Sequence, residues 1–330
     1  MTEVFSLAAE NLVSPMVLSF ALGLAAALAR SDLSIPEAAA KTLSVYLLFA
    51  IGFKGGVSVA EHGIDASLVQ SLIAGMMLSA ALPVLAFLLL RVLTKLDRLN
   101  AAAVAGHYGS ISIVTFVAAT SVLESQGIIA EGYMVAVAAA MEAPAILSAL
   151  WLASSGGSKE GGSKGRMDSE LWREVLLNSS IVLLIGAFLI GWITGPKGLE
   201  DIESFIVAPF KGVLCLFLLD MGLLAGRGMR SGHGAIGIGA IVFGITMPVL
   251  GSVAGLSAAL LLGLSTGGML LMMVLSASAS YIAVPAAMRV ALPEANPSIY
   301  LTLSLGVTFP FNLILGIPLY LAMAQATTGG

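Results

Sequence analysis

Long apolar runs follow one another along almost the entire chain, several of them approaching or exceeding the ~20 residues that cross a hydrocarbon core. Nothing else in the sequence restricts its fold so severely, because a chain built this way must hide nearly every surface it makes. Gly, Pro and charged residues punctuate the runs. They delimit about ten candidate spans, at 12–30, 35–53, 67–93, 99–123, 132–153, 174–195, 203–225, 234–263, 267–291 and 297–324. A soluble helical globule is excluded by composition. Hydrophobic residues make up 58% and charged residues 10%, whereas a soluble surface takes about 25% charged residues. The expected fold is an all-α integral membrane protein.

Charge and motifs remove further classes. A net charge of −4 offers no basic stripe for a nucleic acid. Cys215 is the single cysteine, so no intrachain disulfide can form. Residues 1–10 hold Glu3 and Glu10 and no Lys or Arg, so the first apolar stretch is read as a retained helix without a cleavable signal peptide. Neither a Walker A loop nor an H-E-x-x-H motif is present. The chain is therefore read as a non-enzyme without a cofactor, drawing on an ion gradient.

Residues 154–170 read SSGGSKEGGSKGRMDSE, a composition that cannot pack and serves as a flexible linker. It separates residues 1–153 from 171–330, with five spans in each part. Arg30, Arg91, Lys95, Arg98, Lys159, Lys164, Arg166, Arg173, Arg227, Arg230 and Arg289 fall on one set of alternating connections; Lys54, Lys197 and Lys211 fall on the other. This asymmetry places the linker in the cytoplasm and both termini outside the cytoplasm, in a multi-pass protein of the cell's inner (plasma) membrane.

The two parts share landmarks at an offset of 170 residues: Lys41 with Lys211, Gly52 with Gly222, Ser110 with Ser280 and Glu124 with Glu294. Small gaps also pair Pro83 with Pro248 and Pro144 with Pro310. A five-span unit must insert its copy upside down, giving a 5+5 inverted repeat of the kind found in secondary transporters.

Spans 4 and 9 carry interruptions at matched places. The fourth holds Gly106, His107, Gly109, Ser110, Ser112 and Thr115; the ninth holds Ser276, Ser278, Ser280, Tyr281 and Pro285. A helix broken inside a membrane presents free N–H groups with about half a positive charge. Two such ends can hold a small anion with Ser and Thr hydroxyls beside it. The competing reading is that small residues only permit close helix packing.

Ionisable residues inside spans are functional candidates by default. Glu142, in MEAPA, is read as a ligand of a coupling cation, or as a structural pair. On span 10, Thr308 and Asn312 mirror it and could ligate a second cation. Asp220 is a further candidate near a helix end. His107 is a proton relay, a pore-lining hydrogen bonder or a structural one. Methionines within 269–273 are read as packing or lipid-facing, not as a metal site.

These residues resemble the sodium-dependent bicarbonate transporter (SbtA-like) family over nearly the whole chain. The similarity is carried by SIPEAAAKTL, AIGFKGG, VLESQGI, MEAPA, FKGVLCLFLLDMG and the closing LPEANPSIYLTLSLGVTFPFNLILGIPLYLAMAQ. The resemblance implies a homotrimer with a gate of spans 1, 2, 6 and 7 and a core of spans 3–5 and 8–10. It implies bicarbonate between the broken helices, Na⁺ beside it and a PII-like cytoplasmic regulator. Ser112 and Thr115 match the family's fourth-span motif, and Ser278 and Ser280 its ninth-span serines. The chain departs from cyanobacterial members at Ile113 and Val114, which replace Gly-Ser, at Tyr281, which replaces Asp, and in EAPA, which replaces DIPA. The expected activity is Na⁺-coupled symport of bicarbonate, with Gly109, Ser110, Ser112, Thr115, Ser278, Ser280 and Tyr281 around the anion. Another small anion, H⁺ coupling, or a non-transporting membrane sensor or scaffold are the alternatives.

Overall fold

A computed structural model describes residues 13–63, 66–154, 179–231, 237–281 and 283–328, and these contain helices and no strands. Linker residues 155–170, with Lys159, Lys164 and Arg166, lie outside the described residues, as does Arg173. The helices are α1 (Pro15–Leu28), α2 (Glu37–His62), α3 (Ala66–Leu93), α4 (Arg98–Gly109), α5 (Ile113–Ser125), α6 (Met134–Ala140), α7 (Glu142–Ser154), α8 (Ser179–Ile206), α9 (Phe210–Ser231), α10 (Ile238–Leu262), α11 (Thr266–Ala277), α12 (Ala283–Ala291) and α13 (Pro297–Thr328). Among the described residues, eight stretches are long and apolar enough to cross a bilayer. Two of them consist of consecutive short helices, α4 with α5 and α6 with α7. The protein is an all-α integral membrane protein.

Two candidate spans are shorter than expected. Helix α1 has 14 residues, about 21 Å of rise, where a hydrocarbon core measures about 30 Å. The ninth span is divided into α11 and α12. The sixth ends where the sequence expected it, at Gly195 (φ +61°), but the chain immediately resumes helix through 196–206. Gly195 takes up the left-handed turn and Pro196 suits the first turn of the new segment. That segment exposes Glu200, Asp201 and Glu203, so it does not continue the apolar span.

Packing pairs the first helix of each half with the second helix of the other. Helix α2 lies on α8, and α1 lies on α9. Glycines make both approaches possible. A Cβ at Gly52 would come 2.6 Å from the Leu184 carbonyl oxygen, and one at Gly56 would collide with the carbonyl of Phe188. At the positions 170 residues later, a Cβ at Gly222 would collide with the Phe20 carbonyl and one at Gly226 would come 2.6 Å from Ala27 Cβ. This is small-residue packing, which lets backbones touch where lipid supplies no hydrophobic drive.

Helices α3 and α10 each carry a central proline, Pro83 and Pro248, and each packs against the short helix that follows it, α4 or α11. Helix α13 is wound wide over Thr302–Thr308 and Asn312–Gly316, on either side of Phe309–Phe311. Pro310 cannot donate to the carbonyl one turn back, and the surrounding π-wound turns accommodate the lost bond. Met269, Met272 and Met273 are buried in the protein interior.

Candidate functional site

Helices α4 and α11 are built alike. Each has 12 residues and an N-cap side chain, Asp97 or Ser265, that accepts a backbone N–H three residues on. Each ends at a serine with extended backbone: Ser110 (φ −85°, ψ 168°) and Ser278 (φ −91°, ψ 164°). The bounds of the two helices lie 168 residues apart, so Ser110 and Ser278 take the same place at the end of their helices. Gly109 is the last residue of α4, and its missing Cβ makes room for the Pro83 ring.

Beyond these ends the chain stays unwound and then re-enters helix. Ser112 caps α5, its Oγ accepting the Thr115 N–H (3.3 Å) and the Thr115 hydroxyl (2.9 Å). Ser280 Oγ accepts the Val284 N–H at 3.4 Å, at the start of α12.

The two unwound segments are bound to each other. The Ser112 N–H donates to Ser278 Oγ (2.9 Å), and the Ser280 N–H donates to the His107 carbonyl (2.8 Å). Ser112 thus meets the second unwound segment at Ser278, while Ser280 meets the last turn of α4 at His107. Within a membrane each unsatisfied backbone group costs several kcal/mol, and these bonds satisfy two donors freed by the breaks.

Polar side chains from later helices reach both junctions. Glu142 is the first residue of α7, is buried, and accepts a hydrogen bond from the Ser110 hydroxyl. The preceding Met141 separates α6 from α7, and its carbonyl accepts the Ser79 hydroxyl. Pro144 falls in the first turn of α7, where its missing N–H is harmless. On α13, Asn312 Nδ2 donates to the Ala277 carbonyl (2.8 Å), and Asn312 Oδ1 accepts the Tyr320 hydroxyl (2.9 Å). Thr308 donates to the Gly244 carbonyl (2.7 Å), which leaves Tyr108 to donate to Thr308 (2.6 Å).

Some buried polar atoms have no protein partner. His107 stacks on Tyr300 with ring centroids 4.3 Å apart, and its Nδ1 lies 2.7 Å from the Ala103 carbonyl. A carbonyl only accepts, so Nδ1 carries the proton and Nε2 is a buried acceptor without a donor. The Tyr281 hydroxyl approaches Ser112 without completing a hydrogen bond, its ring edge-on to Phe309 at 5.4 Å. Ser276 Oγ is likewise unpartnered.

The sequence candidates thus divide. Ser110, Ser112, Thr115, Ser278, Ser280, Tyr281, His107 and Glu142 gather at the crossing, with Gly109 at its edge and Asn312 attached through Ala277. Thr308 belongs to a neighbouring cluster with Tyr108. Asp220 is buried on α9, where it interacts with the charge of Arg227, and stands outside the hydrogen bonds of the crossing. Sequence reasoning passed over Ser79, Tyr108 and Tyr320, and the available signal was a hydroxyl within an apolar run. No group of three or more His, Cys, Asp or Glu gathers among the described residues. A cation here would rely on one carboxylate with hydroxyl and carbonyl oxygens.

The model of the Na⁺-dependent bicarbonate transporter superfamily matches residues 15–325. The chain belongs to that superfamily. The match spans both broken regions and every candidate residue named above. No curated protein matches the chain closely enough to count as a relative.

Proposed function

We propose that the protein is a secondary active transporter that carries bicarbonate together with Na⁺. The junction of the two breaks carries this reading. It gathers, deep in an apolar protein, the N-terminal end of α5 and hydroxyls that still have hydrogens to give. Ser112 Oγ already accepts two bonds and lies beside the Tyr281 hydroxyl, so this pair of hydroxyls keeps a proton to give to a ligand. Hydroxyl donors beside a helix N-terminus suit a small oxyanion. Glu142 supplies the formal charge for Na⁺, which takes oxygen ligands, and the Ser110 hydroxyl orients it.

The packing supports a division of labour. Helices α1, α2, α8 and α9 form a block closed by glycine contacts, and the crossing belongs to the remaining helices. Two halves related upside down can exchange conformations, so the second block moves against the first and opens the crossing to each side in turn. Purified protein in liposomes is expected to take up labelled bicarbonate only under an inward Na⁺ gradient. Uptake indifferent to Na⁺ would remove the coupling.

A second cargo is favoured by one feature. Ile113, Val114 and the Tyr281 ring give the crossing an apolar wall, which suits a short carboxylate. Thermal unfolding with a series of anions, each with and without Na⁺, separates the two, and stabilisation by bicarbonate alone rejects the carboxylate.

A further inference from the structure

The two junctions are equivalent in backbone and unequal in charge. In each, the span following the broken pair sends one polar side chain to the C-terminal end of the first half-helix: Glu142 from α7 to the Ser110 hydroxyl that ends α4, and Asn312 from α13 to the last carbonyl of α11. A helix C-terminus carries about half a negative charge and is a natural place for a cation. At the first junction the visitor is a carboxylate, which accepts from Ser110 and has further lone pairs with which to ligate a cation.

At the second junction the same place is filled. Asn312 Nδ2 donates to the Ala277 carbonyl, the terminal carbonyl of α11. The opposite orientation would set Oδ1 against a carbonyl oxygen, two acceptors in repulsion, so the amide can point only one way. Oδ1 is in turn occupied by the Tyr320 hydroxyl. Asn312 is thus bonded at both ends. Ser278, Ser280 and Tyr281 of this junction are uncharged as well.

We infer that the transport site holds a single cation, at Glu142, and that the Asn312 amide stands in the position a second cation would take. Resting on the symport reading above, this makes each cycle electroneutral, one Na⁺ with one monovalent anion. Thr308 does not restore the second position, because its hydroxyl is bonded to Gly244 and Tyr108.

The test uses the native protein in liposomes with ²²Na⁺ as the probe and bicarbonate outside. The expected result is bicarbonate-dependent ²²Na⁺ uptake with a Hill coefficient for Na⁺ near one. Its steady-state level should be unmoved by an inside-negative K⁺ diffusion potential. A Hill coefficient near two, with accumulation that rises with the potential, overturns the single-cation assignment and leaves the symport reading intact. No bicarbonate-dependent ²²Na⁺ uptake at all overturns both. Asn312→Asp supplies the missing charge and is expected to raise the Hill coefficient toward two and make accumulation potential-dependent. If that variant does not fold, the stoichiometry of the native protein still decides.

Discussion

The break between α4 and α5 and the break between α11 and α12 differ where chemistry, rather than geometry, is concerned. Both end a 12-residue helix at an extended serine, and each is bonded to the other across the crossing. Yet a carboxylate reaches the first and an amide the second. Backbone shape follows from the repeated pattern of small and hydroxylated residues, which both halves retain. Charge depends on single side chains and can diverge without disturbing that shape. The two breaks thus share a backbone form and differ in the charge that reaches them.

The comparison is broken most directly at Glu142. Glu142→Gln keeps the hydrogen bond from Ser110 and removes the charge. A hydrogen bond or ligand contact to a charged group is worth about 2 kcal/mol, so the Na⁺ concentration for half-maximal uptake should rise roughly thirtyfold. Asn312→Gln, at the mirror position, should leave that Na⁺ dependence in place, whatever it does to the rate. An unchanged Na⁺ response in Glu142→Gln would assign the carboxylate to structure.

Ser112 caps α5, a cap that contributes about 1 kcal/mol, and Ser280 Oγ accepts the Val284 N–H at the start of α12. The double variant Ser112→Ala with Ser280→Ala should lower bicarbonate uptake by about tenfold, combining a lost cap with a lost donor. The protein should still elute as a folded species in size-exclusion chromatography. Full uptake in the double variant would show that the hydroxyls of the two breaks do no transport work.

Tyr281 separates binding from stability. Its hydroxyl has no protein partner, so Tyr281→Phe should leave the unfolding temperature unchanged or slightly higher, while weakening the anion about fivefold through the loss of roughly 1 kcal/mol. A fall in unfolding temperature with unchanged anion dependence would mean that the hydroxyl holds the fold.

How much of this was legible in the sequence follows a physical gradient. The helices were legible, because a bilayer forces apolar runs of fixed length and every described run became helix. The broken regions were legible too, because Gly109 and the serines mark places where a ladder of helix bonds can stop. Pairing across the crossing was not. Which residues face each other, Ser112 with Ser278 and His107 with Ser280, follows from how the two broken helices cross, and no offset between the halves encodes it. Asn312 could be read from its type as a ligand, but only the Ala277 carbonyl opposite reveals its N–H as the working group. The resumption of helix after Gly195 was hidden because residues 196–206 are polar and carry no apolar run.

The smallest effect lies at the surface, where Lys54 of α2 pairs with Glu124 of α5 and sits 5.1 Å from the Phe210 ring centre. This pair ties the helix that starts at the first break to the glycine-closed block. At positions 170 residues on, the second half has Leu224 and Glu294, so the carboxylate has a copy and the lysine has none. Both side chains are partly exposed (25% and 35%), and such pairs contribute at most about 1 kcal/mol, less with salt. Lys54→Met should therefore change uptake by about twofold at low ionic strength and by nothing measurable at high ionic strength. A salt-independent change of the same size would shift the weight to the packing of Lys54 on Phe210, and would remove the ion pair from the differences between the two breaks.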